Sequence, residues 1–160
     1  MRDIELEMKI QKSLNEGNNV WVVGDVHGFN QTLRSLVAKL DIKTGDYVVL
    51  LGDLIDRGPN SYDVIQFVKN SPNMATVKGN HEKMMAKVFS LSRLEKPDLR
   101  ISTWFYNGGL STATSYINAY TDSSGNENTQ ELHQAIERDK LWIKQLPSQI
   151  VLDDWRLVHA

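Results

Sequence analysis

Three short polar motifs hold residue types that could do chemistry: Gly24-Asp25-Val26-His27-Gly28, Gly52-Asp53-Leu54-Ile55-Asp56-Arg57-Gly58 and Gly79-Asn80-His81-Glu82. Asp25 and His27 lie two residues apart at the end of a predicted strand, so their side chains leave the backbone on one side and can grip one cation. Asp53 has two carboxylate oxygens and can bridge two cations, and Asn80 adds an amide oxygen. Such a mixture of carboxylate, amide and imidazole suits Mn²⁺, Fe or Zn²⁺ more than Ca²⁺ or Mg²⁺ alone. Taken singly, each motif is also ordinary turn or helix-cap chemistry. A match such as G-D-x-H-G arises by chance on the order of 10⁻⁵ times per starting position, and three in order after three apolar runs point to a site.

The elements that must position these motifs follow from hydrophobic periodicity. Val20-Trp21-Val22-Val23 reads as a buried strand, and Leu33, Leu36, Val37 and Leu40 then recur at helical spacing. Tyr47 to Leu51 reads as a second strand, followed past Pro59 by Val64, Phe67 and Val68 on a helix. Met74 to Val77 gives a third strand, and Met84, Met85, Val88 and Phe89 line the next helix as core residues. This alternation predicts an α/β fold with a parallel sheet covered by helices. Ligands in such sheets bind outside the carboxyl ends of the strands, so the three motifs are expected to converge.

Further along, Lys96-Pro97-Asp98 breaks the chain and Asn107-Gly108-Gly109 marks a turn. Asn128 and Glu131 resemble a capping box opening a helix to about Gln145, which Pro147 ends. Gln149 to Leu152 and Trp155 to Val158 read as a hairpin around Asp153-Asp154. The tryptophans at 21, 104, 142 and 155 are expected to be packing residues, His133 a solvated histidine, and Glu82 a structural acid in the first turn of a helix.

Composition narrows the function classes. The chain has 160 residues, 41% hydrophobic and 24% charged, with a net charge of −2 and no cysteine. One domain is the default at this length. The charge balance and the lack of a Lys/Arg-rich run argue against nucleic acid as a partner. Without cysteine, a metal must be held by His, Asp, Glu, Asn or backbone oxygen. No apolar run suits a signal peptide or a bilayer span, so neither membrane association nor export is expected and the cytoplasm is the expected compartment.

The three motifs in this order resemble the signature of the phosphoprotein phosphatase branch of the calcineurin-like metallophosphoesterases. Trp104-Phe105-Tyr106-Asn107-Gly108-Gly109 is similar to a stretch of its compact bacterial and bacteriophage members, and Val158-His159-Ala160 resembles a later H-A-G element. The resemblance implies a metallophosphoesterase α/β/β/α sandwich, with residues 1–160 a single partial catalytic domain that lacks C-terminal strands of its second sheet. It implies two divalent cations, with Mn²⁺ favoured over Fe or Zn²⁺: Asp25, His27 and Asp53 would hold one, and Asp53, Asn80 and His159 the other. A hydroxide bridging them would attack phosphorus directly. Arg57 would grip the phosphoryl oxygens, and His81, oriented by Asp56, would protonate the leaving group. Lys78 stands where an arginine often precedes G-N-H-E. A later G-H-T-type histidine and a further phosphate-binding arginine of the family have no counterpart in the 160 residues.

The activity implied is hydrolysis of a phosphoprotein or small phosphomonoester, with serine/threonine protein phosphatase as the leading reading. A symmetrical diadenosine tetraphosphatase has similar motifs but usually ends the third in Asp where this chain has Glu82. The remaining reading is a fragment that binds metal and phosphate with little or no turnover.

Overall fold

The computed structural model describes residues 1–88 and 99–160. Its parallel sheet is built from β1 (Val20–Val23), β2 (Tyr47–Leu50) and β3 (Met74–Thr76), in that spatial order. Val23 pairs with Leu50, and Leu50 with Thr76, so the carboxyl ends of the strands are level. The polar loops that follow them therefore leave from one edge. Gly52 turns the chain out of β2 at φ 92°, a left-handed conformation that glycine adopts without steric cost.

Side chains alternate across β2, and this sets two apolar layers. Val48 and Leu50 face a layer with Leu33, Ile55, Val64, Ile65, Met85, Trp104, Tyr116 and Ile143. These come largely from helices α2 (Asn30–Lys39), α3 (Ser61–Lys69), α4 (Asn80–Lys87), α5 (Leu99–Trp104), α6 (Leu110–Ala119) and α7 (Thr129–Gln145). Val49 faces the other way, onto Ile10, Ala75, Val77, Ile150 and Leu152. That second layer is closed by α1 (Ile4–Asn15) and by an antiparallel hairpin of β4 (Gln149–Val151) and β5 (Arg156–Val158). The expected α/β architecture is present.

Several elements differ from expectation. The periodicity assigns no element to the first 19 residues, yet α1 forms there, capped by the Asp3 carboxylate on the Leu6 N–H. Asn107-Gly108-Gly109 is not a simple turn. It lies in a π-helical segment, Phe105–Gly109, joining α5 to α6, where Gly108 alone takes φ 101°. Asn128 caps α7 through the Glu131 N–H, where the capping box was expected. Trp104 is buried, but Trp21 is 36% and Trp155 67% exposed, so these two are not core packing residues among the described residues. Phe89 and the Lys96-Pro97-Asp98 break lie outside the described residues.

Glu7 ties α1 to the hairpin. Its nearly buried carboxylate accepts from Arg2 Nη2 at 2.6 Å and from the Val151 N–H at 3.0 Å. The Arg2 hydrogen bond chiefly holds the Glu7 carboxyl below its ordinary range. A lowered folded value means that the stabilisation is full above the unfolded pKa of about 4.3 and is lost as pH falls through the folded value. In thermal melts, Glu7→Gln is therefore expected to unfold at lower temperature than wild type at pH 7, with the gap closing in acid.

Candidate active site

The loops that carry the motifs hold unusual backbone. Five described non-glycine residues have positive φ, and four are His27 (46°), Asp53 (47°), Asp56 (72°) and Arg57 (67°). Each such residue costs about 1–3 kcal/mol unless its surroundings enforce it. Here they do. The Val26 and His27 N–H groups donate to the Asp53 carbonyl at 3.0 and 2.8 Å, and Gly58 N–H donates to the His27 carbonyl at 2.9 Å. Arg57 N–H donates to the Gly108 carbonyl at 3.2 Å. A Cβ at Gly108 would sit 2.9 Å from Arg57 Cγ, so the glycine lets the π-helical segment lie against Arg57.

Glu82 binds the second and third loops together. Its carboxylate, fully buried, accepts from the backbone N–H groups of Asp53, Leu54 and Gly79 at 2.8, 2.8 and 2.9 Å. Burial raises the Glu82 carboxyl above its ordinary range, against the pull of these amides. The acid read as a helix-dipole residue is thus a cross-loop clamp. Gly79 must be glycine for the same packing, since a Cβ there would overlap the Asp53 carboxylate.

Asp53 is the centre of the arrangement. One oxygen accepts the His81 N–H at 3.1 Å, from the first turn of α4. The other lies 3.9 Å from His27 Nε2, 3.8 Å from His81 Nε2 and 3.5 Å from His159 Nε2. His27 Nδ1 meets the Ile55 carbonyl at 2.9 Å, and His159 Nδ1 meets the Leu51 carbonyl at 2.9 Å. A carbonyl can only accept, so each Nδ1 donates to the backbone, and this turns each Nε2 toward the Asp53 side. Histidines that hold a metal commonly donate their other ring N–H to a carbonyl or carboxylate in this way. Asp25 Oδ2 lies 3.7 Å from His27 Nε2, and its Oδ1 lies 3.9 Å from His159 Nδ1. Asn80 Oδ1 lies 2.8 Å from His159 Nε2.

All five residues expected as metal ligands are therefore brought together around Asp53. The donor set fits divalent cations: two groupings, His27 with Asp53 and His81, and Asp25 with Asp53 and His159, each place their ligand atoms within 4.8 Å of one another. These groupings cut across the sorting implied by resemblance, since His159 adjoins Asp25 as well as Asn80. Asp53 belongs to both.

Beside this cluster lies a buried pair. His81 Nδ1 and Asp56 Oδ2 are 2.6 Å apart, with His81 1% and Asp56 0% exposed. Burial raises the Asp56 carboxyl, while hydrogen bonds from Thr112 and His81 act to keep it charged. The Arg57 guanidinium donates to His27 Nε2 at 2.8 Å and approaches His81 Nε2 at 3.3 Å. Side chains that could hold a cation, a guanidinium and an oriented imidazole thus lie side by side. Sequence reasoning missed Thr112 and the hydrogen bond from Trp104, both of which reach Asp56 from far along the chain.

Residues 19–160 match the family described as calcineurin-like phosphoesterase. The chain belongs to that family. The chain is 44% identical over 72 residues to serine/threonine-protein phosphatase 2 of Escherichia coli (strain K12), covering 44% of this chain and 33% of that protein. It is 37% identical over 112 residues to serine/threonine-protein phosphatase 1 of Salmonella typhimurium, covering 68% of this chain and 46% of that protein. It is also 38% identical over 86 residues to a symmetrical bis(5'-nucleosyl)-tetraphosphatase of Enterobacter sp. (strain 638), covering 52% and 30%. The chain thus spans about a third to a half of the length of these relatives. A metallophosphoesterase from Sphaerobacter thermophilus shares the fold, with TM-score 0.51 and 17% identity over 86% of this chain and 44% of that one. No helix among the described residues is long and apolar enough to cross a membrane.

Proposed function

We propose that this phosphoesterase is a metal-dependent phosphomonoesterase of the serine/threonine protein phosphatase type, acting on phosphoproteins in the cytoplasm. The observation that carries the reading is the fully buried His81–Asp56 pair beside the Asp53 cluster. An alkoxide such as that of serine is a poor leaving group and needs a positioned acid, whereas a nucleoside diphosphate leaves as a weaker base and needs one less.

Asp25, His27, Asp53, Asn80 and His159 would hold two divalent cations, with Mn²⁺ as the proposed ion. When bound, such a pair supplies a water of lowered pKa for direct attack on phosphorus and neutralises phosphoryl charge. The chain's own groups do the rest. The planar fork of Arg57 suits bidentate hydrogen bonding to phosphoryl oxygens and orients the ester. Asp56 accepts the hydrogen bond from His81 Nδ1, fixes its ring and stabilises its imidazolium form, whose Nε2 proton is the one given to the departing oxygen. The strained turns around Asp53 and Asp56 hold these groups in place before substrate arrives.

The similarity to a symmetrical tetraphosphatase supports a second reading, in which the dinucleotide is the substrate. Initial rates on a phosphoserine peptide and on diadenosine tetraphosphate, each with Mn²⁺, separate the two. The peptide is expected to be the better substrate. Much faster cleavage of the dinucleotide would overturn the protein phosphatase reading, and Mn²⁺ binding without phosphate release from either would support a binding-only role.

A further inference from the structure

Asp56 is held at both its main chain and its side chain by residues on either side of the π-helical turn. The Thr112 hydroxyl lies 2.6 Å from Asp56 Oδ1, 2.9 Å from the Asp56 backbone nitrogen and 2.9 Å from Ser61 Oγ. A hydroxyl has one proton. The carboxylate can only accept, so Thr112 donates to Oδ1, and it accepts from the Asp56 N–H and from the Ser61 hydroxyl. Trp104 Nε1 donates to the same carboxylate, at 2.9 Å to Oδ2 and 3.1 Å to Oδ1. Thr112 is 1% and Trp104 4% exposed, so neither has water as an alternative partner. Asp56 itself sits at φ 72°, a conformation it would leave without restraint.

We infer that Thr112 and Trp104 are positioning residues for leaving-group protonation, fixing the plane of the Asp56 carboxylate so that Oδ2 meets His81 Nδ1 and the ring faces the ester. The inference rests on the proposed acid role of His81, and it narrows the substrate class to alkyl phosphomonoesters, whose alkoxides need the proton. Aryl phosphates, which depart as stable phenolates, make little demand on the same device.

The decisive comparison is kcat on a phosphoserine peptide against kcat on p-nitrophenyl phosphate, with Mn²⁺, in wild type, Thr112→Val, Thr112→Ser and Trp104→Phe. Thr112→Val keeps the branched shape and removes the donor. It is expected to shrink the alkyl-to-aryl ratio about tenfold or more, a part of the 10²- to 10⁴-fold available from a positioned acid. Thr112→Ser is expected to restore the ratio, and Trp104→Phe to lower it in the same direction. His81→Asn serves as the reference: equal slowing of both substrates by His81→Asn would defeat the acid reading itself, whereas a collapsed ratio in His81→Asn beside an unchanged one in Thr112→Val overturns only the positioning role. A second readout needs no turnover. In the metal-free protein with ¹⁵N-labelled histidine, the His81 Nδ1 proton is expected downfield of ordinary imidazole and to move upfield in Thr112→Val and Trp104→Phe. An unmoved resonance in both variants overturns the inference whatever the rates.

Discussion

Asp53→Asn is expected to abolish Mn²⁺-dependent phosphate release, by on the order of 10³-fold or more, equivalent to about 4 kcal/mol of transition-state stabilisation. Asp53 is the one residue common to both groupings of ligand atoms. The exchange is nearly isosteric, and the amide oxygen can still accept the His81 N–H that Asp53 Oδ1 accepts now. What is lost is the negative charge between His27, His81 and His159, all within 3.9 Å of Asp53 Oδ2. Without it, two adjacent cations would face each other with too little charge between them, and both would bind more weakly. Calorimetric titration with Mn²⁺ is expected to show weakened binding at both sites, with an unchanged circular dichroism spectrum. Activity within tenfold of wild type would remove Asp53 from the centre of the mechanism.

His81→Asn is expected to slow hydrolysis of a phosphoserine peptide by about 10²- to 10⁴-fold, the range of a positioned general acid. The loss should fall mainly in kcat, because protonation is needed only as the bond to the leaving oxygen breaks. On p-nitrophenyl phosphate the same substitution should cost much less. His81 also lies 3.8 Å from Asp53, so metal affinity must be measured beside the rates. Unaltered Mn²⁺ binding with a leaving-group-dependent loss is the expected pair of results. A loss of equal size on both substrates would make His81 a structural residue or a ligand.

The strands were legible because their chemistry is local. Val20–Val23 is a continuous apolar run with the same bounds in sequence and structure, and the second and third strands end one residue earlier than their apolar runs. In both, the next residue still bonds backward, Leu51 N–H to Val23 and Val77 N–H to Leu50, while the chain already turns toward a motif glycine. Helix α7 was legible through its Asn128 cap. Helix α1 was harder to see because Leu6, Ile10 and Leu14 are embedded in acids and bases, and the helix is fixed by long-range contacts such as Glu7 to Val151.

The motif residues could be found by type and position, since each follows a strand end directly. Their supports could not. Thr112 lies 56 and Trp104 48 residues from Asp56, with no periodicity linking them. Asn107-Gly108-Gly109 pointed to a turn because a run with two glycines usually breaks a helix, but a single left-handed residue, Gly108, absorbs the whole kink. Glu82 had an adequate local explanation at the start of α4, which concealed its three bonds to backbone amides of the neighbouring loops.

The most direct measurement is diffraction from crystals grown with Mn²⁺, recorded at the manganese absorption edge. Two anomalous peaks are predicted, both against the Asp53 carboxylate and about 3.5–4 Å apart, with Asp25, His27, Asn80 and His159 among their ligands. A single peak, or peaks away from Asp53, would contradict the account.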